Sequence, residues 1–209
     1  MARLIAKLAS LLCLLLSVAL AQAEIEILDL REAIRTGDVQ FLELRGNGSS
    51  SGAAVDGVLK NITGRELSIR TAIKVPLYFR NRGSGSRQNM IATQIYLSNG
   101  AYVSDGKESF IQLSPGASEK VMLIAYCADF DKENPEALDT FVLADTPEAL
   151  SGVARRIADF EAKQPDLDTT VASQVALWMA QGLPAQKIAD KFEFTENDYR
   201  GPREILGNE

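Results

Sequence analysis

The chain has 209 residues, of which 22 are Lys or Arg and 28 are Asp or Glu, and its formal net charge is −6 at pH 7. This acidic balance argues against a surface that binds nucleic acid or anionic membranes. The sequence has no histidine, which excludes Ser-His-Asp and Cys-His catalysis and histidine-based zinc sites, so we expect neither an enzyme nor a protein with a metal or another cofactor.

Residues 1–23 have the pattern of a signal peptide. Arg3 and Lys7 form a short positive region, and the stretch from Leu8 to Leu20 is almost wholly apolar. Ala21-Gln22-Ala23 then matches the small-x-small pattern of a cleavage site. We therefore expect export, either to a periplasm or out of the cell.

Cleavage after Ala23 gives a mature chain that begins at Glu24. We expect no membrane span in it, because a span needs about 20 apolar residues and no such run follows the leader. Removal of the leader discards Cys13 and leaves Cys127 as a lone cysteine. A lone thiol in an exported protein can neither pair within the chain nor be kept reduced by glutathione, so Cys127 needs an explanation.

The part of the chain before residue 130 is predicted to be rich in strands. It begins with one short predicted helix, Leu30 to Arg35, which Gly37 ends. After this helix, segments of β-branched and aromatic residues alternate with turn signals such as Asn99-Gly100 and Pro115-Gly116. This rhythm is typical of an antiparallel β-sandwich. The predicted strands are Val39 to Leu44, Ala54 to Asn61, Leu67 to Phe79, Asn89 to Leu97, Ser109 to Leu113 and Val121 to Cys127.

After residue 145 the apolar residues recur with the period of a helix. Proline and threonine at the expected starts, and a glycine at one expected end, mark three helices. The tail from Thr195 is expected to fray. The predicted helices are Pro147 to Ala162 with Thr146 as its N-cap, Thr169 or Thr170 to Gly182, and Pro184 to Phe192.

Together these segments predict an α+β fold. An antiparallel β-sandwich occupies residues 24–145, after the signal peptide of residues 1–23. A C-terminal group of about three helices, residues 146–209, packs on the sandwich as part of the same unit. The chain has neither an internal repeat nor a linker long enough to separate two independent domains.

Gln174 is predicted to point inward from the second of these helices. Val171, Val175, Trp178 and Met179 define the apolar face of the helix, and Gln174 lies on the same face. A buried carboxamide without partners costs a few kcal/mol. It is therefore either hydrogen-bonded, most simply to backbone at the end of a strand, or covalently bonded.

Two short segments resemble the motifs of a known family. They are Ala125-Tyr126-Cys127 at a strand end and Ser173-Gln174-Val175-Ala176 in a helix, followed by Trp178. They resemble the thioester domains of bacterial surface adhesins, whose motifs are a strand-borne Cys and a later Thr-Gln-x-Ala, with serine here in place of threonine. The resemblance implies an intramolecular thioester that captures a nucleophile on a host surface. Cys127 would supply its sulfur, Gln174 its acyl carbon, and Trp178 would pack nearby.

Other polar residues near these motifs have weaker signals. Asp129 returns to the face of the strand that holds Cys127, so it is a candidate for orienting the Gln174 carboxamide, with a solvated loop acid as the alternative. The segment from Asp129 to Asn134 lacks the glycine and the final glutamate of a calcium loop, so no metal site is predicted there. Gln88 and Gln94 are predicted to be surface or ladder positions of a strand.

Two functions therefore remain open. The first is an exported, noncatalytic binding or structural module in which Cys127 is buried and inert. It would be similar to an exported bacterial β-sandwich module of unassigned role. The second is a covalent adhesion module with a thioester between Cys127 and Gln174. The expected partner is a surface protein or a glycan.

Overall fold

The structure, a computed structural model, describes residues 26–83, 85–194, 198 and 200–207. The predicted signal peptide, its cleavage site after Ala23 and the leader residue Cys13 lie outside these residues. Within them the fold is mixed α+β, with ten strands in two sheets of mainly antiparallel pairing and five helices. Among the residues that the structure describes, none of the helices combines the length and the apolar composition of a membrane span.

The smaller sheet has four strands in the order β1-β4-β8-β7. β1 is parallel to β4, and the other neighbours are antiparallel. β1 and β7 were absent from the prediction because two residues are too few for a period-two pattern. The four strands are β1 (Ile27–Leu28), β4 (Leu67–Arg70), β7 (Val103–Ser104) and β8 (Ser109–Leu113).

The larger sheet has six antiparallel strands in the order β10-β5-β6-β9-β3-β2. Its two edge strands come back together at one isolated bridge between Arg45 and Thr140. The sheet is therefore strongly curled. Its strands are β2 (Val39–Gly46), β3 (Ser51–Asn61), β5 (Ala72–Asn81), β6 (Met90–Leu97), β9 (Ser118–Cys127) and β10 (Phe141–Ala144).

The prediction of a single strand from Leu67 to Phe79 was wrong, because the chain changes sheets at Thr71. The Thr71 N–H donates to the carbonyl of Ser109 at 2.9 Å, on the side of the smaller sheet, and its carbonyl accepts from the N–H of Ile95 at 2.8 Å, in the larger sheet. Thr71 is thus the corner between β4 and β5. An apolar pattern alone does not reveal a corner, since both strands on either side of it are buried.

Two apolar clusters lie on opposite faces of the larger sheet. The first joins buried residues of both sheets, such as Leu59, Ile111 and Leu123. The second joins the other face of the larger sheet to helices and contains Tyr126 and Ile157. Because successive side chains of a strand point to opposite faces, neighbouring residues of β9 contribute to different clusters.

One of the five described helices precedes the larger sheet and four follow it. The first was predicted: Asp29 caps its start by accepting from the N–H groups of Arg31 and Glu32, and Gly37 ends it with φ 78°. The helices are α1 (Leu30–Thr36), α2 (Glu148–Lys163), α3 (Thr170–Met179), α4 (Ala185–Ala189) and α5 (Arg200–Leu206).

Two details of the predicted helices need correction. Pro147, not Thr146, occupies the N-cap position of α2, and the Thr146 hydroxyl instead accepts from Arg31 Nη2 at 3.3 Å. The tail does not simply fray either, because α5 packs against α3 and buries Ile205. A seven-residue helix that contains glycine and proline is hard to predict, since packing rather than helix propensity stabilises it.

Candidate functional site

Cys127 ends β9 in the interior of the larger sheet and is fully buried. Its sulfur lies 3.8 Å from Met90 Sδ, in the cluster between the two sheets. Burial raises the pKa of the Cys127 thiol to about 12. The thiol is therefore neutral near pH 7, and the thiolate that acts as a nucleophile is scarce.

Gln174 of α3 is also fully buried, and the structure brings it to Cys127. Its Oε1 accepts from the N–H of Cys127 at 2.8 Å, and its Nε2 donates to the carbonyl of the same residue at 3.0 Å. β3 pairs with β9 only as far as Ser51 and Tyr126. The Cys127 N–H also donates to the carbonyl of Ser50 at 3.2 Å, so the carboxamide adds to the ladder at the end of β3. Both polar ends of the carboxamide are satisfied by main chain.

Asp129 binds a different part of the structure from the one proposed for it. Its Oδ2 accepts from the backbone N–H of Asn89 at 2.9 Å and from Asn89 Nδ2 at 2.8 Å. The same oxygen forms an ion pair with Lys132 at 3.2 Å. Asp129 therefore orders the segment before β6 rather than the carboxamide of Gln174.

Trp178 belongs to the same apolar cluster as Cys127. Its ring makes edge-to-face contacts with Phe130 and Phe192, with centroid distances of 5.1 and 5.6 Å. These contacts fix α3 against the chain that follows β9 and against the chain that follows α4. The role that this placement indicates is packing.

Gln88 was predicted at the surface or in a ladder, and this was wrong. It is fully buried just before β6. Its Oε1 accepts from the N–H of Asp129 at 3.0 Å, and its Nε2 donates to the carbonyl of Lys132 at 2.9 Å. Gln88 and Gln174 thus hold the chain on both sides of residue 128. Periodicity could not reveal Gln88, because it lies outside the regular part of a strand.

Glu161 of α2 is a buried acid that the sequence analysis missed, with only 3% of its surface exposed. Its Oε1 accepts from the Tyr126 hydroxyl at 2.6 Å and from the Ser173 hydroxyl at 3.0 Å. Its Oε2 accepts from Gln94 Nε2 at 2.9 Å. A signal was present, because Glu161 follows Ile157 by four residues and so continues the apolar face of the helix.

Three donors satisfy the Glu161 carboxylate without a basic partner. Among the ion pairs of the described residues none includes Glu161. Burial, and next the charge of Glu161, hold the pKa of Tyr126 well above its usual range. Tyr126 therefore stays protonated and remains a donor to the acid.

An open cleft of about 760 Å³ lies above this buried acid. One wall is the outer face of the larger sheet, and the other is the end of α2 with the chain that leads to α3. The hairpin between β7 and β8 borders it as well. Its lining includes Gln94, Tyr96, Tyr102, Lys107, Glu161 and Gln164.

A chain of hydrogen bonds fixes one tyrosine ring of the cleft. The Tyr96 hydroxyl donates to Gln94 Oε1, and Gln94 Nε2 donates to Glu161. The ring of Tyr102 lies edge-to-face against that of Tyr96, 6.3 Å between centroids, and is 56% exposed. Because the hydroxyl of Tyr96 is hydrogen-bonded to Gln94, this ring of the cleft wall is ordered before a ligand binds.

These residues offer groups that can hydrogen-bond a polar ligand. The cleft combines amide and hydroxyl groups with carboxylates, and none of its lining residues in the described chain is a cysteine. No group of three or more acidic or cysteine side chains among the described residues is arranged to hold a metal ion. Comparison with family models, with curated proteins and with solved structures finds no match to this chain.

Proposed function

We propose that this chain is an exported, noncatalytic binding module. In this proposal the two sheets form a β-sandwich, the helices after β10 cover its outer face, and the cleft above Glu161 receives a surface protein or a glycan. The observation that carries the proposal is the chain of hydrogen bonds from Tyr96 through Gln94 to Glu161. It fixes a ring of the cleft wall through a buried acid, and a binding site held by such supporting contacts is ordered in advance.

The Cys127 site supports a noncatalytic role. Its thiol is buried with a pKa of about 12. Both polar ends of the Gln174 carboxamide are hydrogen-bonded to the main chain of Cys127. A structural role of Cys127 and Gln174 explains both observations, because a buried amide needs hydrogen-bond partners and a buried thiol packs as a small apolar group.

The binding function is tested by mapping where small ligands bind to the mature chain. A library of polar and aromatic fragments is added to isotope-labelled protein, and NMR shifts are followed at Gln94, Gln164 and Tyr96. We expect shifts to cluster at these residues and to shrink in Gln94→Ala, which disconnects Tyr96 from Glu161. Gln186→Ala, an exposed change in α4, is the control. Shifts only at other surfaces contradict the proposal.

Export is proposed from the leader and is tested separately. The full chain is expressed in a secreting host, and the amino terminus of the exported protein is sequenced. We expect it to begin at Glu24. A chain that stays in the cell and keeps Met1 would contradict export, but it would not contradict the proposed binding function of the cleft.

A covalent adhesion module is the second candidate, because the Gln174 carboxamide lies directly against Cys127. Attack of the sulfur on the carboxamide carbon forms the thioester and releases ammonia, which needs near-attack geometry. Intact mass of the mature protein distinguishes the candidates. A mass lower by one ammonia, restored in both Cys127→Ala and Gln174→Ala, establishes the thioester. Full mass with a thiol that titrates on unfolding establishes the hydrogen-bonded pair.

A further inference from the structure

We infer that the ligand of the cleft is a neutral oligosaccharide, whose sugar rings pack on Tyr102 and Tyr96. This inference rests on the proposed binding function and names the ligand class for it. A sugar ring has an apolar C–H face and a rim of hydroxyl groups. The cleft offers the matching combination of exposed aromatic surface and mixed hydrogen-bonding groups.

The charges around the cleft disfavour an anionic ligand. Five carboxylates line it against three cationic side chains, and Arg70 is already paired with Glu108. A polyanion would meet a surplus of like charge, so nucleic acids and sulfated polymers fit poorly. The carboxylates are Glu108, Asp159, Glu161, Asp166 and Asp168, and the cations are Arg70, Lys74 and Lys107.

A cationic ligand is also disfavoured, although the surplus charge is negative. Glu161, the buried acid, already accepts three hydrogen bonds from Tyr126, Ser173 and Gln94. It therefore does not need a cation from outside. Among the exposed, unpaired side chains of the cleft, Lys74 and Lys107 offset two of three carboxylates, which are Asp159, Asp166 and Asp168. A surplus of one negative charge is small for the recognition of a basic peptide.

The remaining groups suit hydroxyl-rich ligands. The amide of Gln164 both donates and accepts, as sugar hydroxyls do. Tyr102 is exposed enough to present ring surface, and tyrosine joins an apolar ring to a polar end. A cleft of about 760 Å³ is within the range of small-molecule sites, so it has room for a short oligosaccharide.

The test is an array of neutral oligosaccharides with gluco, galacto, manno and N-acetylhexosamine chains, probed with the full mature protein. A heparin fragment and an oligolysine peptide are included. We expect binding to at least one neutral oligosaccharide and to neither charged probe. Tyr102→Ala should weaken that binding by up to about tenfold, because an aromatic contact contributes roughly 0.5–1.5 kcal/mol. Tyr102→Phe should retain most of it. Leu138→Ala, in another exposed loop, should change nothing.

The outcomes separate the ligand class from the binding function. If fragments occupy the cleft but no neutral oligosaccharide binds, or only oligolysine binds, the ligand class is overturned and the binding function stands. If neither fragments nor oligosaccharides shift the NMR signals of the cleft residues, the ligand class and the binding function are both overturned. Oligosaccharide binding that Tyr102→Ala leaves unchanged also overturns the inference, because the sugar then lies elsewhere.

Discussion

Single side chains close the gaps that the strands of this fold leave open. The Gln174 carboxamide pairs with the N–H and the carbonyl of Cys127 beyond the end of β3. The adjacent residue, Ser173, reaches the acid on the opposite side of the sheet, Glu161. Two consecutive residues of α3 thus tie the helix to both faces of the larger sheet through polar contacts.

Gln174→Ala should destabilise the fold by about 1–3 kcal/mol. It leaves the buried carbonyl of Cys127 without its Gln174 partner, and such a loss costs roughly 1–3 kcal/mol. The Cys127 N–H keeps its longer bond to the carbonyl of Ser50, at 3.2 Å. Urea denaturation followed by circular dichroism measures the change. Gln186→Ala, exposed in α4, should stay within about 0.5 kcal/mol. Equal stabilities of the two variants would show that the carboxamide contacts are not needed.

The raised pKa of Cys127 predicts a loss of stability at alkaline pH. The thiol has an ordinary pKa of 9.0 and a folded value of about 12. Between these values the unfolded chain has lost the proton that the folded chain still binds, so stability falls as pH rises. Denaturation at pH 8 and pH 10.5 should show a smaller decrease for Cys127→Ala than for the wild type. Parallel decreases would contradict the assigned pKa, because buried tyrosines titrate in both proteins.

Part of this site was predictable at the scale of the residue. The period of α3 was enough to place Gln174 inward, although only the resemblance to thioester domains paired it with Cys127. The same reasoning applied to α2 identifies Glu161, whose spacing from Ile157 marks the buried face. Gln88 was not predictable, because its partners lie in an irregular loop more than 40 residues away.

At the scale of the element, the contact between α5 and α3 depends on a glycine. A Cβ added at Gly201 would lie 2.6 Å from the Cβ of Ala172, which is closer than packed side chains allow. The two helices therefore approach along small residues. This approach explains why a short helix near the end of the described chain is well packed, and why its sequence carried little signal.

Gly201→Ala should destabilise the protein by about 1–3 kcal/mol, because α5 has to move away from α3. Gly152 of α2 gives the matched control, since its added Cβ would find only Arg156 Nη1 at 3.8 Å. Gly152→Ala should be neutral or stabilising by up to about 1 kcal/mol, as expected for glycine in a helix. Thermal unfolding of both variants measures the difference. In Gly201→Ala, a second change of Ala172→Gly should restore part of the loss, and no recovery would contradict the steric explanation.

The strands were predicted well where they are long and half-buried, because alternation and turn signals define them. The corner at Thr71 and the short strands were missed for a different reason. Pairing with distant segments creates them, and a local pattern does not contain that information. β10 follows the acidic loop after β9 and is held by β5, with Phe141 opposite Asn81 in the register.

At the scale of the whole molecule, the larger sheet is the central layer. One face is covered by the smaller sheet and the other by α2 and α5, while α3 contributes residues to both apolar clusters. Hydrogen bonds of two buried side chains join the helices to this sheet. Gln174 bonds to Cys127 at the end of β9, and Glu161 bonds to residues of β9 and β6. Removal of the helices would expose the ring of Tyr126 and take the Gln174 partner from the carbonyl of Cys127.

The sheets and the helices should therefore unfold as one cooperative unit. The single tryptophan, Trp178, reports on α3 by fluorescence, and far-ultraviolet circular dichroism reports on both sheets and helices. We expect the two probes to give the same urea midpoint. Tyr126→Phe removes the hydrogen bond to Glu161 and should lower both midpoints together, by about 1–3 kcal/mol in stability. Separate midpoints, or a protease-stable fragment that ends near residue 140, would show that the sheets fold without the helices.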